Sequence, residues 1–340
     1  MLNLSKMESN TQLKNAIAVA TDTFVAARIE RPGVIGYITE QVPPMLPHQL
    51  LVKMQGCGLC ASNIPLWQGR EWFSYPSPAG KPGHEGWGTV EAKGELVTDF
   101  LLGDRVTILH GSSFAEYAVV DQEDAIKLPS DLSHLPFPGE ALSCLMNIFD
   151  RADIRPGQTV AVLGLGFIGL GLLQLLAHHP VRTVAVSRRE YPLGQAEGLA
   201  DHPIRNIDQY QTVQQINDLT DGRGCDRVIE CTGHQGPLDI ATAIIAEYGK
   251  LIIAGYHQDG LRQIDLQKWN WKAIDVINAH ERDPNRYRKG TADAVEAVRA
   301  GQLSPELLVS HAYPFERLQE AMQQLTKTPE GLIKSYVYFS

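Results

Sequence analysis

Val160-Ala161-Val162-Leu163-Gly164-Leu165-Gly166-Phe167-Ile168-Gly169 decides how the rest of the chain is read. A short, β-branched apolar run meets three glycines at GxGxxG spacing, and a second apolar run continues to Leu176. The glycine pattern alone says little. Placed after a buried strand and before a helix, it has the context a dinucleotide-binding turn needs. In such a turn Gly164 makes the tight bend, Gly166 lets a pyrophosphate approach the backbone, and Gly169 lets helix and strand pack closely. Phe167 and Ile168 open the helix, whose free N–H groups and positive dipole end suit phosphate. These five residues are the expected cofactor contacts. A glycine-rich turn that binds nothing is the alternative.

Around this stretch, apolar strands alternate with helical stretches. Thr159 to Leu163, Arg182 to Val186, Asp226 to Glu230 and Leu251 to Ala254 read as strands, and Gly169 to His178 as a helix. That alternation implies βαβ units and a parallel, doubly wound sheet in an α/β fold. From Ala16 to about Pro129 the texture differs. Leu50 to Met54, Gly88 to Ala92, Asp104 to Ile108 and Ala115 to Val120 are short β segments between Gly/Pro turns, so a β-rich barrel or sandwich is expected. After Pro284, spacings of three and four residues signal helices, and Ser335 to Phe339 reads as a closing strand. A chain of 340 residues fits two domains. Its first dozen residues are polar, and fraying is expected there.

The bulk numbers exclude several classes. The net charge is −9 and no dense Lys/Arg block occurs, which argues against a nucleic-acid surface. No run approaches the roughly 20 apolar residues of a membrane span. Five cysteines, an odd and small number, do not make a disulfide framework. The first residues lack the continuous apolar core of a signal peptide, so the expectation is a cytoplasmic protein.

Ser187 stands 21 residues after Gly166, where an NAD-preferring site usually carries a carboxylate for the ribose 2′-OH. Here Ser187 is followed by Arg188 and Arg189. A missing carboxylate and two guanidinium groups suit a 2′-phosphate, so NADP(H) is expected over NAD(H). Two solvated surface arginines are the alternative.

Three further segments carry possible metal ligands: Gly56-Cys57-Gly58-Leu59-Cys60-Ala61-Ser62-Asn63, Gly83-His84-Glu85-Gly86, and Gly139-Glu140-Ala141. Cys, His and Glu are all zinc ligands, and three of them plus water make an open catalytic site. In this order, and followed by the glycine motif, these residues resemble the medium-chain dehydrogenase/reductase family. The zinc-dependent branch, with its sorbitol and threonine dehydrogenases, is the nearest pattern. Gly103-Asp104-Arg105-Val106 followed by Phe114-Ala115-Glu116-Tyr117 adds to the likeness.

The resemblance implies a GroES-like β-rich catalytic domain over residues 1–150 and 286–340, and a Rossmann domain over residues 151–285. It implies one catalytic zinc on Cys60, His84 and Glu140, with Glu85 beside the metal and able to exchange onto it. Ser62 would hydrogen-bond the substrate oxygen and pass its proton outward. The implied reaction moves hydride between NADP(H) and a secondary alcohol or ketone, in a homodimer or homotetramer paired through Ile240 to Ala254 and Asp275 to Ala279.

Three departures from the family pattern stand out. Asn63 replaces the usual Asp that holds a ligand His, and an amide oxygen can take over that acceptor role. Pro65 replaces the His that ends the proton relay, with His110 a substitute only by position. The four-cysteine lobe of a structural zinc is missing, so at most one zinc is expected. The stretch Leu66 to Tyr75, Trp269 to Trp271 and His280 to Arg282 mix aromatic and polar groups, which suits a polyol, sugar or cyclitol; covering the domain interface is the bland alternative. Two rival functions share the motifs: a zinc-free quinone or enoyl reductase, and a non-catalytic nucleotide-binding protein.

Overall fold

The computed structural model describes residues 22–258 and 260–340; the polar first dozen residues lie outside this description. The chain enters through an antiparallel hairpin of β1 (Thr23–Arg31) and β2 (Val34–Gln41). Then come β3 (Gln49–Gly58), β4 (Glu85–Lys93), β5 (Arg105–Ile108), β6 (Tyr117–Asp121) and β7 (Ala125–Lys127), joined by turns. Helix Gly139–Ala152 leads into β8 (Thr159–Leu163), β9 (Arg182–Ser187), β10 (His202–Arg205), β11 (Cys225–Glu230), β12 (Ile245–Ile253) and β13 (Asp275–Asn278). Helix Pro284–Arg299 follows, and β14 (His311–Pro314) and β15 (Ser335–Tyr338) close the chain.

The second group forms one parallel sheet in the order β10-β9-β8-β11-β12-β13. This is the doubly wound order in which the strand sequence reverses beside the first strand, opening a crevice at the carboxyl ends of β8 and β11. Strand β8 is buried almost throughout, as a central parallel strand covered on both faces must be. Helix Phe167–Leu176 is apolar except for Gln174 and buries every residue but Ile168. It packs into a core with Leu142 and Leu145 of helix Gly139–Ala152. The other face of the sheet packs Val184, Val228, Ile244 and Leu251.

The first group forms a mainly antiparallel sheet, β14-β15-β3-β4-β5-β7, with β6 added on β3. Strands β14 and β15, from the last thirty residues of the chain, therefore lie in the sheet built by its first third. The β1–β2 hairpin and the short strands β10 and β14 carry too little periodicity to be read individually from sequence. Burial along β2 alternates only weakly and never becomes complete.

Candidate metal and cofactor site

Three elements aim side chains at one point. Cys60 follows β3 and starts the turn Ala61–Asn63. His84 immediately precedes β4, and Glu85 is that strand's first residue. Glu140 sits in the first turn of helix Gly139–Ala152, whose start is fixed by a hydrogen bond from Gly139 N to Thr107 Oγ1 of β5 at 3.1 Å. Ligand atoms of Cys60, His84 and Glu85 all lie within 4.8 Å of one another. His84 Nε2 is 3.9 Å from Glu140 Oε2 and 3.5 Å from Ser62 Oγ.

The imidazole is oriented by its other nitrogen. Nδ1 is 2.8 Å from the carbonyl oxygen of Pro82, which can only accept, so Nδ1 carries a hydrogen and Nε2 is the nitrogen turned to the cluster. This revises the role expected for Asn63. Its Oδ1 accepts from Cys60 N at 3.0 Å, and its Nδ2 donates to the same Pro82 oxygen at 3.1 Å. The buried amide thus ties the Cys60 loop to the His84 loop, and the backbone carbonyl, not Asn63, takes the histidine N–H.

Burial opposes charging His84, but its hydrogen bond with Cys60 and the charges of Cys60, Glu140 and Glu85 outweigh that cost. In the metal-free protein the imidazole is held up to about 10. Desolvation also lifts Glu140 above the usual carboxylate range, against the pull of His84. A divalent cation bound among these soft and hard donors would take the place of that proton.

Glu85 has a partner that sequence spacing did not reveal. Lys334, just before β15 and itself buried, donates to Glu85 Oε1 at 2.7 Å and to the Leu59 carbonyl at 3.2 Å. Glu85 Oε2 also lies 2.7 Å from the ammonium but accepts no hydrogen bond. That leaves one buried carboxylate oxygen without a hydrogen bond. The Lys334 ammonium also sits 4.6 Å over the ring of Phe167, at the start of the glycine-turn helix. One cation thereby touches both the Cys60–His84–Glu85 cluster and the glycine turn. A lone Lys between Leu332-Ile333 and Tyr336-Val337 was the available signal, since an unpaired lysine is almost never fully buried. Behind Glu140, Cys144 Sγ lies 3.6 Å from Glu140 Oε1 and 3.9 Å from the Tyr287 hydroxyl.

In the glycine turn, Gly164 has φ +97°, and a side chain there would strike Thr232. A Cβ on Gly169 would meet the Gly164 carbonyl oxygen at 2.0 Å, whereas one on Gly166 would point into open space. These are a tight turn, a close helix–strand contact and an uncovered backbone, in that order. Across the crevice, buried Glu230 accepts from Thr232 N at 2.7 Å and from His257 Nε2 at 3.0 Å, and so shapes the loop facing Gly164.

At the end of β9, Ser187 Oγ hydrogen-bonds the Arg189 backbone at 3.1 Å. The Arg189 guanidinium donates to the Leu332 carbonyl at 2.6 Å, while Arg188 is exposed. Of the two arginines read as phosphate ligands, one is therefore held by the chain's C-terminal segment.

Two other expectations fare differently. His110 lines a cavity of about 250 Å³ with Phe24, Ser112 and Tyr117. Its charged neighbours are Asp124, Lys81 and Asp121, not the residues of the cluster. In the stretch Leu66 to Tyr75, Leu66 and Trp67 are buried and Phe73 and Tyr75 pack on the same core, with Trp72 exposed. Only these four of the ten residues belong to that core, while Gln68, Arg70, Glu71 and Ser74 are exposed like Trp72. Trp269 likewise packs inward, with Nε1 donating to Thr242 Oγ1 at 3.0 Å. All five cysteines are free thiols.

Two family models match the chain: an alcohol dehydrogenase GroES-like domain over residues 46–130, and a zinc-binding dehydrogenase domain over residues 168–297. The chain belongs to the zinc-type alcohol dehydrogenases of the medium-chain dehydrogenase/reductase family. Among these dehydrogenases, sorbitol dehydrogenase of Bacillus subtilis (strain 168) is 25% identical, over 88% of this chain and 93% of its own length. Erythritol/L-threitol dehydrogenase of Mycolicibacterium smegmatis is 26% identical, over 87% and 92%. In fold, the chain superposes with a TM-score of 0.80 on a Sinorhizobium meliloti 1021 protein described as a zinc-binding dehydrogenase and solved with NADP, at 24% identity over 94% of this chain and 100% of that one. The GroES-like and Rossmann architecture read from the sequence is thus the observed one, and the chain is an alcohol dehydrogenase of the NAD(P)-dependent class. No helix among the described residues is long and apolar enough to cross a membrane.

Proposed function

We propose that this dehydrogenase holds one catalytic zinc on Cys60, His84 and Glu140, with Glu85 as a reserve ligand, and interconverts a polyol or sugar secondary alcohol and its ketone using NADP(H). The observation that carries this reading is the convergence of Cys60, His84 and Glu85 within 4.8 Å, with Glu140 beside them at the start of its helix. When bound, zinc supplies Lewis acidity to a substrate oxygen and the nicotinamide supplies the hydride chemistry.

The chain's own residues do the rest. Pro82 fixes the orientation of the ring, so Nε2 is the nitrogen that would ligate once its proton leaves. Lys334 balances Glu85 inside the protein, where an unpaired carboxylate would be costly. Ser62, at the cluster's edge and exposed, accepts the substrate's hydroxyl proton and passes it to solvent, because Pro65 offers no further relay. Gly164, Gly166, Phe167, Ile168 and Gly169 present the helix N-terminus to the pyrophosphate. Ser187 leaves room for a 2′-phosphate, and exposed Arg188 is its first cation, with Arg189 joining once it leaves Leu332. The polyol assignment rests on the sorbitol and erythritol/threitol dehydrogenases among the relatives. Strand β13 is a sheet edge with exposed Val276, next to exposed Trp271, and is the surface through which two copies would pair.

The test is zinc content per chain together with NADPH and NADH affinities on one chelator-free preparation. About one zinc and tighter NADPH binding is the expected result. No zinc after reconstitution would overturn the metal assignment. Tighter NADH binding would overturn the role given to Arg188 and Arg189 and leave the zinc site standing.

A further inference from the structure

A buried carboxylate stands at the carboxyl end of β11, apart from the metal-ligand cluster. Glu230 is fully buried, and it accepts from Thr232 N at 2.7 Å, from Gly233 N at 3.1 Å, from the Thr232 hydroxyl and from His257 Nε2 at 3.0 Å. On the other side of the imidazole, Arg262 Nε donates to His257 Nδ1 at 3.0 Å. A guanidinium can only donate, so Nδ1 is the acceptor and the ring hydrogen sits on Nε2, directed at Glu230. The same guanidinium donates through Nη2 to the Gly233 carbonyl at 2.8 Å. A cation, a neutral imidazole and an anion thus bind the loop after β12 to the turn after β11.

Both segments touch the glycine turn or each other. A Cβ on Gly164 would meet Thr232 Cγ2 at 2.3 Å, and one on Gly233 would meet the Tyr256 carbonyl oxygen at 2.4 Å. A Cβ on Gly255 would meet Gly233 N at 2.2 Å. Three loops, from the carboxyl ends of β8, β11 and β12, therefore meet where a doubly wound sheet takes its ligand. Such a sheet has two mononucleotide-binding halves. Ser187, at the position that reads the adenosine ribose, ends β9 in the half made by β8, β9 and β10. The half made by β11, β12 and β13 is left for the nicotinamide side. Its loop has little apolar anchorage, since Leu261 is fully exposed and Tyr256 is exposed, stacked on His280 at 6.0 Å between ring centroids. A satisfied polar network does the holding instead, and such a network rigidifies what it joins.

We infer that His257 and Arg262, anchored on Glu230, are positioning residues for the nicotinamide half of the cofactor. They hold the backbone of Gly233 and Tyr256 in place before the cofactor arrives, so that ordering this wall costs nothing on binding. The inference rests on the NAD(P)-dependent class of the chain and is independent of the choice between NADP(H) and NAD(H). The adenosine half, lying over the other three strands, does not depend on the network.

The experiment titrates the full-length protein with NADPH, NADH, 5′-AMP and adenosine 2′,5′-bisphosphate, the last two carrying only the adenosine half. Arg262→Met leaves Glu230 and its hydrogen bonds in place, so it cuts the tether without unpairing a buried charge. His257→Phe removes both bonds of the ring, and His257→Gln can restore them, since its amide oxygen accepts from Arg262 and its N–H₂ donates to Glu230. Arg262→Met and His257→Phe are each expected to weaken the preferred dinucleotide about tenfold, the value of one hydrogen bond to a charged group. Both adenosine fragments should bind as they do to wild type, and His257→Gln should recover most of the lost affinity. Unaltered dinucleotide affinity in Arg262→Met and His257→Phe overturns the inference. So does an equal loss for the adenosine fragments, which would make the network a support of the whole cofactor domain. Whether the wild type prefers NADPH or NADH decides the role of Arg188 and Arg189 and leaves this result untouched.

Discussion

Asn63 shows how one atom can change a residue's task. With Asp in this place a carboxylate could accept the histidine N–H; here the amide N–H₂ donates to Pro82 O, and Pro82 O takes the histidine instead. Asn63→Asp therefore turns a carboxylate oxygen toward a carbonyl oxygen in a buried pocket where neither can donate. We expect a loss of roughly 1–3 kcal/mol in urea unfolding, with faster zinc release to a chelator. An unchanged midpoint would mean that the carboxylate captures His84 directly and displaces Pro82. The candidate metal-site residues were legible because each belongs to a short local motif: Cys60 to a glycine-flanked loop, His84 and Glu85 to one tripeptide, Glu140 to a helix start. Lys334 was not, since 249 residues separate it from Glu85, and no local period encodes a contact that only the return of β15 to β3 creates. Tyr287 was hidden for the same reason, lying 143 residues from Cys144.

At the scale of elements, the glycine turn separates two uses of the same residue. A Cβ on Gly169 meets a backbone oxygen, which cannot swing aside, so Gly169→Ala must push the helix off β8. About 1–3 kcal/mol of stability should go with it. A Cβ on Gly166 meets nothing, and its φ of −87° is open to any residue. Gly166→Ala should melt within about 0.5 kcal/mol of wild type, yet bind NADPH at least about tenfold more weakly, because the methyl group occupies the pyrophosphate's approach. Equal cofactor affinity in Gly166→Ala would move the pyrophosphate elsewhere. This turn was readable because β8 is apolar from Val160 to Leu163 and the helix is apolar but for Gln174, so strand, turn and helix announce themselves in sequence. The aromatic stretch from Leu66 to Tyr75 was ambiguous for the opposite reason. Residue type alone does not say whether a Trp faces a cleft or a core, and Trp67 and Trp72, five residues apart, took opposite sides.

Across the whole molecule, helix Gly139–Ala152 is the mechanical link between the two sheets. Its first turn delivers Glu140 to the side of His84, and its C-cap, Asp153, is tied to the parallel sheet. The Asp153 carboxylate accepts from Lys250 of β12 at 2.8 Å and from Arg155 at 3.1 Å, and lies 3.5 Å from Arg227 of β11. The hydrogen bonds from Lys250 and then Arg155 hold it down to about 2, from an ordinary value of 3.8. A carboxyl depressed in the folded state contributes stability that is complete above its unfolded value and is lost as pH falls through its folded value. The window is therefore from about pH 4 down to about pH 2. Asp153→Asn keeps the left-handed backbone at φ 48°, which Asn tolerates well, and removes only the charge. We expect the gap in denaturant midpoint between wild type and Asp153→Asn to be constant above pH 4 and to close on going to pH 2. Because the side chain is 39% exposed, the same gap should narrow in about 1 M salt, where screening acts over a few ångströms. A gap that persists unchanged at pH 2 would show that Asp153 holds the helix to the sheet by shape and hydrogen-bond geometry, independently of its charge.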